Sequence, residues 1–280
     1  MRDRVVGATR TQRGRSYALR LSPHSDFERV RREQAYTEAV RSLIAGSDFR
    51  VMPAIETEPF TQAAAAGRTL GASDLHAIGE AIAAAAAAHR VVGEQSELRE
   101  VLHGYTSLRD LGRVIADAVD ERGTVLDRAS PALGRIRRQL AGAQSDARDR
   151  VNAILASAKY AKIIQDRIVT IRNGRFVIPI KSEFSGALPS IVHDTSASGQ
   201  TLFVEPIAAL DANNRVRTLQ IEEEREIQRI LESLSRGVGT NAAAIEANVE
   251  MLARVDLLAA KAELAQRGGC VAQPPRCASS

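Results

Sequence analysis

The sequence predicts a mainly α-helical protein, in which a helical core carries a long antiparallel pair of helices with a small four-stranded β-sheet at its tip. Two observations predict this fold class. Through most of the chain, apolar residues recur every three or four positions, which is the spacing of one helix face. Residues 167–206 break that pattern with β-branched residues, glycines and prolines, which are typical of short strands and turns.

The composition indicates a folded and mildly basic protein. With 280 residues, 44% of them hydrophobic, the chain can bury one or two cores. The formal net charge of +4 suits a polyanionic partner, although an ordinary mixed surface gives the same total. Cys270 and Cys277 lie close to the end of the chain, and the sequence assigns them no role. Because this is no disulfide framework and the alanine run at 83–88 is too short to span a bilayer, we expect a cytoplasmic protein without a membrane partner.

Residues 1–130 are predicted to form the helical core. Ser25 stands at the start of a capping-box pattern that opens a helix to about residue 44. Ser73 can cap an alanine-rich helix, and Ser107 can cap a third helix that ends near Gly123. The stretches between these helices are predicted to be loops, namely 45–55 and 57–62.

Residues 131–166 are predicted to form an outgoing helix and residues 207–267 a returning one. Ser130 and Pro131 make a favourable start, a cap followed by proline at the first helical position. Both segments carry an apolar stripe, and glycines at 236–241 predict a bend or break in the second. Because such long helices rarely stand alone, we expect them to pair antiparallel, with 167–206 as a β insertion between them. An irregular tail is expected over 268–280.

The β insertion is predicted to contain four strands. Two β-rich runs surround Asn173-Gly174, which is the strongest short signal for a hairpin with a type I′ turn. Residues 190–193 and 201–204 are predicted to form the other two strands, joined by a polar loop. Pro179 predicts that the second strand lies at a sheet edge or at a bulge, because proline cannot donate a ladder hydrogen bond.

Seven side chains of this insertion are candidates for contacts with nucleic-acid phosphates. Four are cations, and three are neutral hydroxyl or amide groups: Arg167, Arg172, Arg175 and Lys181, with Ser196, Ser198 and Gln200. Arg172 and Arg175 flank the predicted turn, and we expect them to project into solvent. The composition alone favours an ordinary solvated surface, but cations at the tip of a long strut are well placed to reach a phosphate backbone.

The insertion and the helix after it carry a family resemblance. The stretches RIVTIRNGRFVIPIK, IVHDTSASGQTLFVEP and LDANNRVRTLQIEEEREIQRIL closely resemble the second bacterial subfamily of MutS-like proteins, over roughly residues 25–265. The resemblance implies a helical core and lever with a β clamp, followed in full-length members by an ATPase domain using ATP and Mg²⁺ and by a nuclease module. It also implies a homodimer that binds branched or double-stranded DNA and suppresses homologous recombination. Some members act instead on collided ribosomes, where the ligand is rRNA, and the sequence does not separate these two targets.

Two departures from the family bear on function. The pattern G-x-x-x-x-G-K-[ST] is absent, so we expect this chain to be no enzyme and to hold no cofactor. After Arg267 the sequence no longer resembles the family, so we expect a truncated, frameshifted or naturally short form, and a purely structural coiled-coil role is a third alternative. Phe203 and Glu205 match the F-x-E spelling of the wedge in mismatch-repair MutS. That wedge belongs to a different domain, and we expect Phe203 to be a core residue.

Overall fold

The computed structural model describes residues 2–47 and 49–268, and it confirms the predicted fold class. The described residues form nine α-helices and one small antiparallel sheet. They divide into two compact units. Among the described residues, unit 1 contains the chain up to Leu126 together with residues 230–268, and unit 2 contains Asp127–Arg229. Most of the tail predicted over 268–280 lies outside the described residues.

Unit 1 is helical and is built around its last helix. Its helices are α1 (Arg2–Ala8), α2 (Gln12–Leu19), α3 (Phe27–Gly46), α4 (Glu58–Ala65), α5 (Ala72–Val92), α6 (Arg109–Ala118), the end of α8 (Leu210–Thr240) and α9 (Ala242–Arg267). Helix α9 contacts α1 to α5. Its buried residues lie around most of its circumference, which is the pattern of a helix enclosed in a core.

The segment 207–267, which was predicted to form one returning helix, contains two helices, α8 and α9. The predicted interruption at 236–241 is confirmed, because α8 ends at Thr240 and α9 begins at Ala242. The prediction that the whole segment extends as one lever is wrong for α9. An alanine-rich helix that is apolar on most sides is buried in the centre of unit 1 instead of standing out from it.

Buried polar side chains of α9 fix the surrounding segments. The Asn248 side chain pairs with both backbone groups of Thr106, accepting from the N–H and donating to the carbonyl at 2.8 Å each. The Asp256 carboxylate accepts from the backbone N–H of Thr11 at 2.9 Å and from its hydroxyl at 2.7 Å. Burial raises the pKa of Asp256, and these hydrogen bonds oppose that effect by stabilising the carboxylate.

The early helices differ from the sequence prediction in detail. Helix α3 is capped by Asp26, whose side chain accepts from the Arg29 N–H, and not by Ser25. Residues 57–62, predicted to be a loop, contain the start of α4. The segment was misjudged because Pro59 suggests a loop, whereas proline near the first helical position is compatible with a helix start.

Unit 2 contains α7 (Pro131–Ala156), the first part of α8 and the strands β1 (Thr170–Arg172), β2 (Arg175–Lys181), β3 (Ser190–Thr195) and β4 (Thr201–Pro206). The start predicted for α7 is correct, since Ser130 Oγ accepts from the Leu133 N–H. The predicted end at residue 166 is wrong, because α7 ends at Ala156. The following chain is needed by the sheet, where Ile163 O accepts from the Lys181 N–H.

Within unit 2, α7 and the first part of α8 run antiparallel. Ser130 Oγ donates to Glu226 Oε1 at 2.6 Å, and the next helical turns are joined by Arg137 Nε and Glu223 Oε1 at 2.7 Å. Apolar side chains of both helices and of the sheet form a single core, which includes Leu140, Ala143, Ala147, Val151, Leu155, Ile178, Ile180, Val204, Ala212, Val216 and Leu219. The sheet is thus anchored on one face to a helix pair.

The sheet has the strand order β1-β2-β4-β3, with every neighbouring pair antiparallel. Asn173 and Gly174 have φ values of +50° and +74°, as a type I′ turn requires. Pro179 does not lie on an edge strand, since β2 has neighbours on both sides. Its carbonyl accepts from the Gln165 N–H and so faces the segment before β1, away from β4. Because the ring nitrogen of Pro179 faces the same way, its missing N–H does not interrupt the ladder with β4.

Candidate nucleic-acid interface

The candidate interface lies in unit 2, but one of its predicted cations is committed to the fold. Arg175 donates to both carboxylate oxygens of Glu205, at 2.7 and 3.0 Å, and to the Asn214 side chain at 2.9 Å. The Glu205 side chain is 0% exposed and also contacts His193 Nε2 at 2.6 Å. Arg175 therefore neutralises a buried carboxylate, and the expectation that it projects freely into solvent is wrong.

Arg172 is also engaged within the sheet. Its guanidinium lies 4.2 Å from the centroid of the Phe203 ring, within the range of a cation–π contact. Its Nε lies 3.2 Å from Asp194 Oδ2. The expectation that Phe203 belongs to the apolar core is therefore wrong as well. The ring is only partly buried, and a charged side chain covers one of its faces.

The hairpin of β1 and β2, which carries Arg172 and Arg175, is held to α8 by the buried side-chain amide of Asn213. The Asn213 side chain accepts from the Phe176 N–H and donates to the Phe176 carbonyl, at 3.0 Å in each case. Asn213 is fully buried, and it completes the hydrogen bonding of β2 where a neighbouring strand would otherwise do so. Asn213 therefore ties the strand that follows the turn to α8.

Three lysines of this unit carry positive charge that no ion pair among the described residues takes up, as does the exposed Arg167. Lys159 and Lys162 are exposed and Lys181 is half-buried, and none of the three has an ion-pair partner among the described residues. The Lys181 N–H donates to Ile163 O at 2.9 Å, so Lys162 and Lys181 are held at the same end of the sheet. We call Lys159, Lys162 and Lys181 the lysine cluster. The exposed carboxylates of Asp166 and Glu183 lie in the same segments, which leaves a modest positive excess.

The predicted neutral side chains lie at the same end of the sheet as Lys181. Lys181 pairs with Thr201 across the β2–β4 ladder, and the Ser182 N–H donates to Gln200 O at 3.0 Å. Ser196 Oγ accepts from the Thr201 N–H and lies 3.3 Å from Ser198 Oγ. The structure thus brings Lys181, Ser196, Ser198 and Gln200 together at one end of the sheet, while Arg172 and Arg175 are held in internal pairs.

Lys159 and Lys162 were not among the candidates predicted from the sequence. A signal for them was present, because the chain has only four lysines and three of them fall between positions 159 and 181. The fourth, Lys261, is paired with Glu33 at 3.2 Å in unit 1. Both lysine and arginine bind phosphate, lysine as a mobile point charge, but Arg172 and Arg175 are already paired with carboxylates.

Over 2–47 and 49–268, no three histidine, cysteine, aspartate or glutamate side chains are grouped so that they could hold a metal ion. None of the helices in those ranges is long and apolar enough to cross a membrane.

Proteins named endonuclease MutS2 are similar to this chain. The one from Pelotomaculum thermopropionicum is 35% identical over 281 residues, which cover 95% of this chain and 34% of the relative. The one from Halalkalibacterium halodurans is 35% identical over 271 residues, covering 94% of this chain and 34% of the relative. The one from Bacillus velezensis is 46% identical over 160 residues, covering 57% of this chain. No family model matches the chain. The chain spans about a third of the length of the first two relatives.

Proposed function

The chain belongs to the family of proteins named endonuclease MutS2, and on that premise we propose that unit 2 binds nucleic acid through the lysine cluster. The proposed target is branched DNA, and the proposed role is to help suppress homologous recombination. The observation that carries the proposal is the pairing pattern of the cations. Arg172 and Arg175 of the β hairpin are each paired with a carboxylate, whereas the three lysines have no ion-pair partner among the described residues.

The name of the relatives supports a nucleic-acid ligand, because an endonuclease acts on a nucleic-acid chain. Phosphate contacts by lysine supply sequence-independent affinity, which suits a protein that recognises the form of a DNA and not its bases. Ser196, Ser198 and Gln200 are placed to add neutral contacts beside Lys181.

We further propose that this binding requires neither ATP nor Mg²⁺ and that the chain does not itself cleave DNA. The sequence contains no G-x-x-x-x-G-K-[ST] pattern to cradle the phosphates of a nucleotide. The affinity of the wild type for DNA is therefore expected to be the same with and without MgATP.

The test is a salt titration of binding by the triple variant Lys159→Ala, Lys162→Ala, Lys181→Ala. If each lysine contacts one phosphate, the slope of log K against log salt should fall by about 2.7, at roughly 0.9 per contact. The measurement is fluorescence anisotropy on a four-way DNA junction, on linear duplex and on an rRNA stem-loop.

The matched control is the triple variant Arg20→Ala, Arg68→Ala, Arg90→Ala. These three exposed residues of unit 1 have no ion-pair partner among the described residues, so the net charge falls by the same amount. The control should keep the wild-type slope. Equal slopes for the wild type and the lysine variant would contradict the proposed interface, and tighter binding to rRNA than to the junction would contradict DNA as the target.

A further inference from the structure

A four-residue loop protrudes from the sheet beside the lysine cluster. The Gln165 N–H donates to Pro179 O, and the next regular pairing joins Thr170 to Val177. Residues 166–169 therefore stand opposite the single residue Ile178. Extra residues of this kind bend a strand and redirect its side chains, as in a β-bulge. Because β1 is an edge strand, the loop lies on a side of the sheet that no other described strand covers.

The exposed side chains of this loop are an acid, a base and a large apolar group. Val169 packs against the core of unit 2, which anchors the loop. Asp166 and Arg167 are exposed and carry opposite formal charges, so the loop adds no net attraction for phosphate. Ile168 is 54% exposed, one of the highest values among the large hydrophobic side chains of the described residues.

We infer that Ile168 is a specificity-determining contact of the nucleic-acid site, where it packs against unstacked bases at a branch point. Proteins that deform DNA insert apolar side chains between bases, and the cost of unstacking those bases limits the gain. At a branch the bases are already partly unstacked, so the same contact favours a junction over a continuous duplex. The lysine cluster supplies phosphate contacts on either DNA, whereas Ile168 would distinguish the two. This inference rests on the proposed function.

Exposure alone would not single out Ile168, because isolated surface isoleucines are common. Three observations do so together. The residue lies on an anchored protrusion, the protrusion has no net charge, and the chain that leads into it runs beside Lys181. Lys162 directly precedes Ile163, whose carbonyl accepts from the Lys181 N–H. The Gln165 N–H donates to the carbonyl of Pro179, which lies two residues before Lys181.

The experiment compares Ile168→Ala with Ile191→Ala. Ile191 is 41% exposed and lies on β3, the opposite edge strand of the same sheet, so the control removes the same atoms from a similar environment. Affinities are measured for a four-way junction and for linear duplex of equal length, with 2-aminopurine at the junction centre as a reporter of base contact. Urea unfolding of each variant confirms that the fold is retained.

We expect Ile168→Ala to lower the affinity for the junction by about tenfold, the loss that corresponds to giving up partial burial of an isoleucine side chain. The affinity for linear duplex and the salt slope should stay unchanged, and the change in 2-aminopurine fluorescence on binding should shrink. Ile191→Ala should match the wild type in all of these measurements.

Several outcomes would overturn the inference. An unchanged junction-to-duplex ratio together with unchanged fluorescence would mean that Ile168 does not contact the bases. An equal loss in Ile191→Ala would point to a general effect of surface hydrophobicity. If the wild type binds neither DNA, the proposed function fails and this inference fails with it. If the wild type binds DNA but Ile168→Ala keeps the wild-type ratio of junction affinity to duplex affinity, this inference is refuted and the proposed function stands.

Discussion

At the scale of single residues, several polar groups in the stretches that resemble MutS-like proteins serve the fold of the sheet. Glu205 is buried and needs Arg175 and His193 as partners, and Asn213 completes the hydrogen bonding of β2. The residue types were visible in the sequence, but their roles were not. A sequence does not show which acid lies across a sheet from which base, so Arg175 looked as available for phosphate as Lys181. The pairing separates them.

We predict that Arg175→Ala destabilises unit 2 substantially. The substitution leaves the Glu205 carboxylate buried with His193 as its remaining side-chain partner, and breaking a buried ion pair by removing one member costs about 3–5 kcal/mol. The free energy of unfolding, measured by urea denaturation, should fall by about 3 kcal/mol, since the contact between Glu205 and His193 Nε2 remains. Arg167→Ala is the control, because that exposed arginine has no ion-pair partner among the described residues and surface substitutions change stability by about 0.5 kcal/mol or less. Equal stability of the two variants would contradict the structural role of Arg175.

At the scale of elements, local residue preferences predicted features that lie within one stretch of the chain. Features that depend on contacts between distant residues were not predicted. The start of α7, the type I′ turn, the four strands and the interruption at Asn241 depend on local residue preferences, and all four were predicted correctly. The end of α7 at Ala156 depends on pairing between Ile163 and Lys181, and the central position of α9 depends on five other helices. Neither relation leaves a periodic signal. For the candidate site, the sequence identified Lys181 and its neutral neighbours, but not Lys159 and Lys162.

The start of α7 leads to a pH prediction through Glu226. Hydrogen bonds from Arg229, and after them from Ser130, lower the pKa of Glu226 to about 2. An acid whose pKa is lower in the folded state contributes stability above its ordinary pKa, about 4.3, and loses that contribution as the pH falls towards 2. Glu226→Gln should therefore be less stable than the wild type above about pH 5, and the two should converge near pH 2.

Urea unfolding between pH 2 and pH 7 measures this difference. Glu224→Gln is the matched control, because Glu224 is an exposed carboxylate of the same helix. Its stability relative to the wild type should show no comparable dependence on pH. A difference between Glu226→Gln and the wild type that stays constant over the whole range would show that ionisation of Glu226 does not stabilise this helix start.

At the scale of the whole molecule, one continuous segment forms unit 2, and it interrupts the chain of unit 1. Residues 127–229 contain their own sheet and apolar core, and about 100 residues is an ordinary size for an independent domain. The two ends of the segment lie close together within unit 2, since Ser130 donates to Glu226. A compact unit whose ends meet is a suitable insertion into another unit, because it adds little constraint on the chain that carries it.

We therefore predict that residues 127–229 fold when produced alone. The isolated segment should unfold in a single cooperative urea transition, because the buried contacts of its core all lie within it. It should also keep the salt slope of the full chain for junction binding, since the lysine cluster lies inside it. The matched control is residues 127–206, which keep the four strands but lose α8. Without α8, the Phe176 backbone loses its Asn213 partner and the core loses Val216 and Leu219. That shorter segment should show no cooperative transition, and a non-cooperative transition in the longer one would refute the division of the chain into two independently folding units.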